Sequence, residues 1–164
     1  MKITRRKHIM TIHTFEVSAM LSNENFYNIQ KELKSKDKTK WTFQGNSMTY
    51  WGLSDKGILI NMYLIKKKKF FSYSITYRIS AQRVMDNNDY VGLFDTSNYP
   101  ELRKKVDKVL LDKCSLLPTL NECKMRRLDF CINAELKNQE QVKAYIRTAK
   151  RAKANEESRQ RGVP

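Results

Sequence analysis

The sequence predicts an α+β domain, built from a mostly antiparallel sheet with helices on one face. Several short segments alternate apolar and polar residues, others repeat apolar residues at helical spacing, and turn residues separate them without a long linker. A chain of 164 residues with 40% hydrophobic content can bury one sizeable core. We therefore predict the order β-α-β-β-β-β-α-β-α in a single domain over residues 1–153, followed by a polar, disordered tail over residues 154–164.

The N-terminal part of the chain predicts one strand and one helix. His13, Phe15 and Val17 alternate with polar residues, as the core-facing side of a half-buried strand requires. Ser22 or Asn23 can then cap a helix. The apolar stripe of that helix consists of Phe26, Ile29 and Leu33.

The middle of the chain predicts four antiparallel strands. Turn residues at 45–47 divide an aromatic-rich hairpin, and residues 58–65 and 70–80 form a second pair of strands. The apolar residues of the last strand are Phe71, Tyr73, Ile75, Tyr77 and Ile79. Their neighbours are serine, threonine and arginine, so we expect one face of this strand to be packed against the core and the other to be exposed to solvent.

The C-terminal part predicts a helix, a strand and a last helix. Asn98 and Pro100 begin the first helix, and Asn138 begins the last one. In the strand between them, alternation places Leu128, Phe130 and Ile132 on the core face. The opposite face carries Arg127, Asp129, Cys131, Asn133 and Glu135.

The charge of the chain predicts a polyanionic partner. Lys and Arg outnumber Asp and Glu by 32 to 17, which gives a formal net charge of +15. Nucleic acid is the partner that such a charge favours. Three alternatives stay open: charges that only keep the protein soluble, a module for RNA or single-stranded DNA without catalysis, and a structural or regulatory protein with an acidic partner.

Basic residues cluster in several segments of the sequence. Phosphate contacts by Lys and Arg give sequence-independent affinity, because they release condensed counterions. We predict the nucleic-acid contacts at Lys66, Lys67, Lys68, Lys69, Arg126, Arg127, Lys143, Arg147, Lys150 and Arg151. The last four form a basic stripe at helical spacing on the last helix, opposite its apolar side.

Several classes of protein find no support in the sequence. The three cysteines lack CxxC spacing, which disfavours a zinc module or a disulfide framework. No apolar run approaches the ~20 residues of a membrane span, and the N-terminus does not resemble a signal peptide, so we expect no membrane partner and the reducing cytoplasm as the compartment. Glycine motifs for nucleotide hydrolysis and the elbow motif of esterases are also absent.

Residues 126–133, with the sequence RRLDFCIN, are the sharpest chemical feature of the chain. Asp129 on the polar side of its strand can bind a divalent cation without being buried. Glu135 follows on the same side, and Glu16 could approach from another strand. The alternative is an Asp129 that pairs with Arg127 and has a structural role only.

The same segment resembles a strand of the rolling-circle replication initiators of Gram-positive plasmids and integrative elements, and the likeness covers residues 124–151. It implies a Mg²⁺ or Mn²⁺ site, with Asp129 as a ligand, and a tyrosine that attacks a DNA phosphate. Tyr145 falls on the inward stripe of its helix. We therefore expect a DNA-binding domain that is either an initiator-like domain truncated before the catalytic tyrosine or a relative retained for binding alone, and no nicking by this chain.

Overall fold

The structure is a computed structural model that describes residues 11–67, 70–86 and 94–131, together with positions 139, 140 and 143. Its backbone forms two compact units, Met1–Ile132 and Asn133–Pro164. Almost all of the described residues belong to the first unit. In the second, Gln139, Glu140 and Lys143 are helical. The prediction of a single domain over residues 1–153 stays a prediction.

Six strands and three helices make up the described part of the first unit. They are β1 (Thr11–Leu21), α1 (Asn23–Lys36), β2 (Trp41–Gln44), β3 (Ser47–Tyr50), β4 (Ile58–Lys67), β5 (Phe70–Ser80), α2 (Ala81–Asp86), α3 (Tyr99–Lys113) and β6 (Lys124–Cys131). The strands form one sheet in the order β2-β3-β4-β5-β1-β6, and every neighbouring pair is antiparallel. The predicted α+β class is confirmed.

One face of the sheet is buried against the helices. Alternate residues of the central strands, among them Val17, Ile60 and Ile75, form a single hydrophobic cluster with the apolar stripes of α1 and α3. The buried stripes are Phe26, Ile29 and Leu33 on α1, and Leu102, Val106 and Leu110 on α3. Both stripes recur every three or four residues, which is the spacing that turns one side of a helix toward a sheet. Among the described helices, none is long and apolar enough to cross a membrane.

The prediction placed His13 on the core face, and the structure corrects it. The register between β1 and β6 shifts between Ile12 and Thr14. Such a β-bulge adds one residue and reverses the alternation that precedes it. His13 is therefore exposed, and Ile12 packs against the core instead.

Helix α2 was not predicted. It begins directly after β5 and contributes Ala81 and Val84 to the core. Six residues are too few to show helical periodicity against the adjacent strand pattern. The predicted last helix lies outside the described residues apart from the three helical positions noted above, so its apolar stripe, including Tyr145, is not tested.

A polar network joins the ends of α1 and α3 to the sheet. Asp37, which follows α1, accepts hydrogen bonds from the Lys113 ammonium and from the Tyr50 hydroxyl. These two donors, with Lys113 the stronger influence, hold the pKa of Asp37 below its ordinary value of 3.8. Burial and the nearby Asp37 raise the pKa of Tyr50 to about 12. Lys36 Nζ also donates to the carbonyl oxygen of Lys113 at 2.6 Å.

Asp37→Asn should lower the free energy of unfolding at pH 7 by about 1 kcal/mol, because Lys113 and Tyr50 lose an ionised carboxylate as their hydrogen-bond acceptor. The pKa of Asp37 is lower in the folded state than in the unfolded state. The contribution of Asp37 to stability is therefore complete above the pKa of the unfolded state and is lost as the pH falls through the pKa of the folded state. Urea unfolding of the variant and of the unsubstituted protein at pH 7 and near pH 2 measures the loss of stability and its dependence on pH. The exposed Asp55→Asn serves as control, and an equal deficit at the two pH values would contradict the assignment.

Candidate nucleic-acid interface

The sheet face opposite the core is formed by alternate residues of β4, β5, β1 and β6. We call it the open face, because the three described helices of the first unit, α1, α2 and α3, pack on the other side. Its central members are Asn61, Tyr63, Ser74, Thr76, Arg78, Thr14, Glu16, Ser18, Arg127 and Asp129. Strand pairing alone places these side chains together, since residues directly opposite each other on neighbouring strands share a face.

A row of charges crosses the open face from β5 to β6. Glu16 on β1 lies opposite Arg78 on one neighbouring strand and opposite Arg127 on the other. Its Oε1 lies 3.8 Å from Nε of Arg78. Arg127 also pairs with Asp129 on the same face, so the two guanidinium groups of this row are balanced by two carboxylates.

Arg126 and Arg127 both line the same pocket, although they are consecutive residues of β6. Simple alternation would place them on opposite faces of the sheet, as the prediction assumed. The register between β1 and β6 shifts between Glu16 and Val17, so that Arg127 lies opposite Glu16 while Met125 lies opposite Val17. Arg126 is the extra residue of this β-bulge. A bulge redirects a side chain, and here it adds a second arginine to the open face.

Asp129 lies on the open face, as predicted, and its side chain is 29% exposed. The Thr14 hydroxyl donates to Oδ2 at 2.6 Å, and Nε of Arg127 donates to Oδ1 at 2.7 Å. These two donors, Thr14 foremost, hold the pKa of Asp129 below its usual range. The hydrogen bond from Arg127 to Asp129 in turn raises the pKa of Arg127.

These contacts leave Asp129 poorly suited to a metal ion. Both carboxylate oxygens already accept a hydrogen bond, and one of the two donors is a guanidinium that repels a cation. In the part of the chain that the structure describes, no three His, Cys, Asp or Glu side chains are grouped to hold a metal. Glu135, the other predicted ligand, lies outside the described residues. The Mg²⁺ or Mn²⁺ site thus stays a prediction from the resemblance.

A pocket of about 530 Å³ opens on this face. It is lined by Glu16, Tyr63, Ile65, Ser74, Thr76, Arg126 and Arg127. Ser74 and Thr76 are each only 4% exposed, so the prediction that this face is exposed to solvent is wrong at these two positions. Both side chains are short, and Ser74 is paired with the much larger Tyr63.

The hydroxyls of Ser74 and Thr76 are buried and have no hydrogen-bond partner within the described part of the chain. Buried polar groups in folded proteins are nearly always paired with protein, water or a ligand. Two unused hydroxyls beside two guanidinium groups form a set of donors that suits the oxygens of a phosphate. The pocket is therefore the feature of the open face that is best suited to an anion.

The other predicted contact residues are only partly described. Lys66 is exposed near the end of β4, and Lys143 is exposed in the second unit. The side chain of Lys67 and the whole of Lys68, Lys69, Arg147, Lys150 and Arg151 lie outside the described residues. These contacts stay predictions.

Sequence reasoning missed the pocket and its two hydroxyls. Alternation located Ser74 and Thr76 on the polar face of β5, but it could not tell which polar residues would be buried there. The burial depends on cross-strand neighbours such as Tyr63, which lies ten or more positions away in the chain. The bulge that adds Arg126 has no signal in the sequence, since neither Gly nor Pro marks it.

Comparison of the chain with protein-family models and with curated proteins finds no match. The likeness of residues 124–151 to replication initiators stays an expectation from the sequence. The candidate site is defined by geometry and charge alone.

Thr76→Val should leave the free energy of unfolding unchanged or raise it by up to about 1 kcal/mol, because it replaces a buried, unpartnered hydroxyl with a methyl group of similar shape. Thr14→Val is the matched control on the same face. Its hydroxyl donates to Asp129, so its loss should cost about 1 kcal/mol. Chemical unfolding of both variants measures the difference, and a Thr76→Val variant as unstable as Thr14→Val would show that the Thr76 hydroxyl has a partner.

Proposed function

We propose that this protein binds nucleic acid through its open face and acts as a DNA-binding domain. The pocket supports this proposal most strongly. It combines two adjacent arginines with two buried hydroxyls that lack a partner within the described residues. Phosphate oxygens accept hydrogen bonds from both kinds of donor, and guanidinium groups can bind them in bidentate fashion.

The charge of the whole chain supports the same proposal. A net charge of +15 attracts a polyanion over distances longer than any single contact and speeds the encounter. Lys124, which is exposed on β6 and paired with Ser18, extends the positive edge of the open face beyond the two arginines. An extended cationic surface suits a backbone that presents phosphates at regular intervals.

The choice of DNA over RNA depends on the resemblance to replication initiators. The segment that carries this resemblance, residues 124–151, includes the two arginines that line the pocket. Binding is the whole of the proposed activity.

Arg126→Gln with Arg127→Gln should weaken DNA binding and reduce its dependence on salt. Loss of two phosphate contacts should lower the slope of log affinity against log salt by about 2. The matched control is Lys104→Gln with Lys108→Gln, which removes the same charge from exposed positions of α3. Fluorescence anisotropy over a range of salt concentrations measures both slopes. Equal effects of the two double variants would remove the open face from the interface.

Thr76→Val should also weaken DNA binding about tenfold, because a phosphate in the pocket would lose a hydrogen bond and leave a buried oxygen without a donor. The same anisotropy assay at one salt concentration measures this loss. Ser18→Ala, on the same face but outside the lining of the pocket, is the control. Unchanged affinity of a folded Thr76→Val variant would contradict a phosphate at this position.

A further inference from the structure

A second cleft, of about 650 Å³, lies on the helix side of the sheet at its β2 edge. We call it the β2 cleft. Its walls include Lys31 and Lys34 of α1, Lys38 of the following turn, and Trp41 and Phe43 of β2. It lies apart from the open face, because Trp41 packs against the hydrophobic core on the opposite side of the sheet.

The two aromatic rings of the β2 cleft lie nearly parallel. The ring planes of Trp41 and Phe43 are inclined by 18°, and their centroids are 6.2 Å apart. Phe43 is 59% exposed, although it belongs to an edge strand that could have carried a polar residue there. The buried indole N–H of Trp41 has no acceptor within the described residues. An exposed ring and an unused donor in the wall of one cleft indicate a ligand with a flat, partly polar surface.

The charge around these rings is positive. Nζ of Lys34 lies over the ring of Phe43, 5.0 Å from its centroid, and over the ring of Trp41 at 5.9 Å, so a ligand that stacks on these rings displaces the ammonium from them. None of the described residues that line the cleft is acidic. The acidic residues of this end of α1 are paired elsewhere, since Glu32 binds Lys36 and Asp37 binds Lys113. An anionic group attached to a planar ring would therefore meet cations and no competing carboxylate.

We propose that the β2 cleft binds an unpaired nucleotide, with its base stacked on Phe43 and Trp41 and its phosphate held by Lys31, Lys34 and Lys38. Base–aromatic stacking accepts any base, because every base has a π face. A base inside a duplex is excluded, since its faces are already covered by its neighbours. The nucleotide is either free or part of a single strand. If the nucleotide is part of a single strand, the inference rests on the proposed function, and unpaired DNA is the preferred ligand.

The two tryptophans of the chain allow a direct optical test. Trp51→Phe removes the other indole, which is 43% exposed and donates to Thr42, and leaves Trp41 as the only reporter. Deoxyadenosine monophosphate and a short oligodeoxyadenylate should each quench Trp41 fluorescence to saturation, because stacking places a base against the indole. Inorganic phosphate at the same concentration should not quench it. Stronger quenching by the oligonucleotide assigns the cleft to a strand, and stronger quenching by the mononucleotide assigns it to a free nucleotide.

Substitutions of Phe43 separate stacking from simple apolar packing. Phe43→Leu keeps an apolar side chain but removes the ring, and it should weaken binding of the oligodeoxyadenylate about tenfold. Phe43→Trp keeps an aromatic ring at this position and should bind the oligodeoxyadenylate as tightly as the unsubstituted protein. Lys34→Gln should weaken binding of the oligonucleotide and of the mononucleotide, whereas Lys104→Gln on α3 should affect neither by more than about twofold. Both Phe43 variants should fold, since the side chain is mostly exposed.

The outcomes distinguish this inference from the proposed function. An oligonucleotide that binds with steep salt dependence but leaves Trp41 fluorescence unchanged would contradict nucleotide binding in the β2 cleft. It would be compatible with nucleic-acid binding at the open face. Quenching by the mononucleotide, with no binding of single-stranded or duplex DNA at any salt concentration, would keep the cleft and remove the proposed function. Equal quenching by inorganic phosphate, or equal affinity of Phe43→Leu and Phe43→Trp, would contradict stacking.

Discussion

Burial of one sheet face under α1 and α3 is the constraint on which the rest of the structure depends. The apolar stripes of both helices and the alternate residues of the central strands form a single cluster. Within the first unit, no described helix packs on the other side, so that side can carry residues chosen for their chemistry. Strand pairing then gives these residues fixed neighbours across the sheet.

The open face departs from ordinary surface chemistry where it carries the proposed function. Ser74 and Thr76 are buried without hydrogen-bond partners in the described chain, which costs stability in the free protein. Such a cost is typical of residues whose partner arrives with a ligand. Asp129 differs from them, because it is fully engaged by Thr14 and Arg127. The carboxylate of Asp129 orients Arg127, and its contacts suit this role better than the role of a metal ligand.

Much of the fold could be predicted from the sequence, because alternation and helical spacing report directly on a half-buried sheet and on amphipathic helices. The strand order could not, since it depends on long-range pairing of β1 with both β5 and β6. Within the candidate site, Arg127 and Asp129 followed from alternation. Arg126 did not, because a bulge reverses the pattern locally, and the burial of Thr76 depends on neighbours that are distant in sequence.

Nuclear magnetic resonance with a short DNA duplex tests the central claim most directly, because it locates the contact surface without any substitution. We expect the chemical-shift changes to concentrate on the open face, at Thr76, Ser74 and Arg127, and to stay small along the exposed side of α3. Shift changes that concentrate on α3, or that are spread evenly over all exposed lysines, would contradict a phosphate site on the open face.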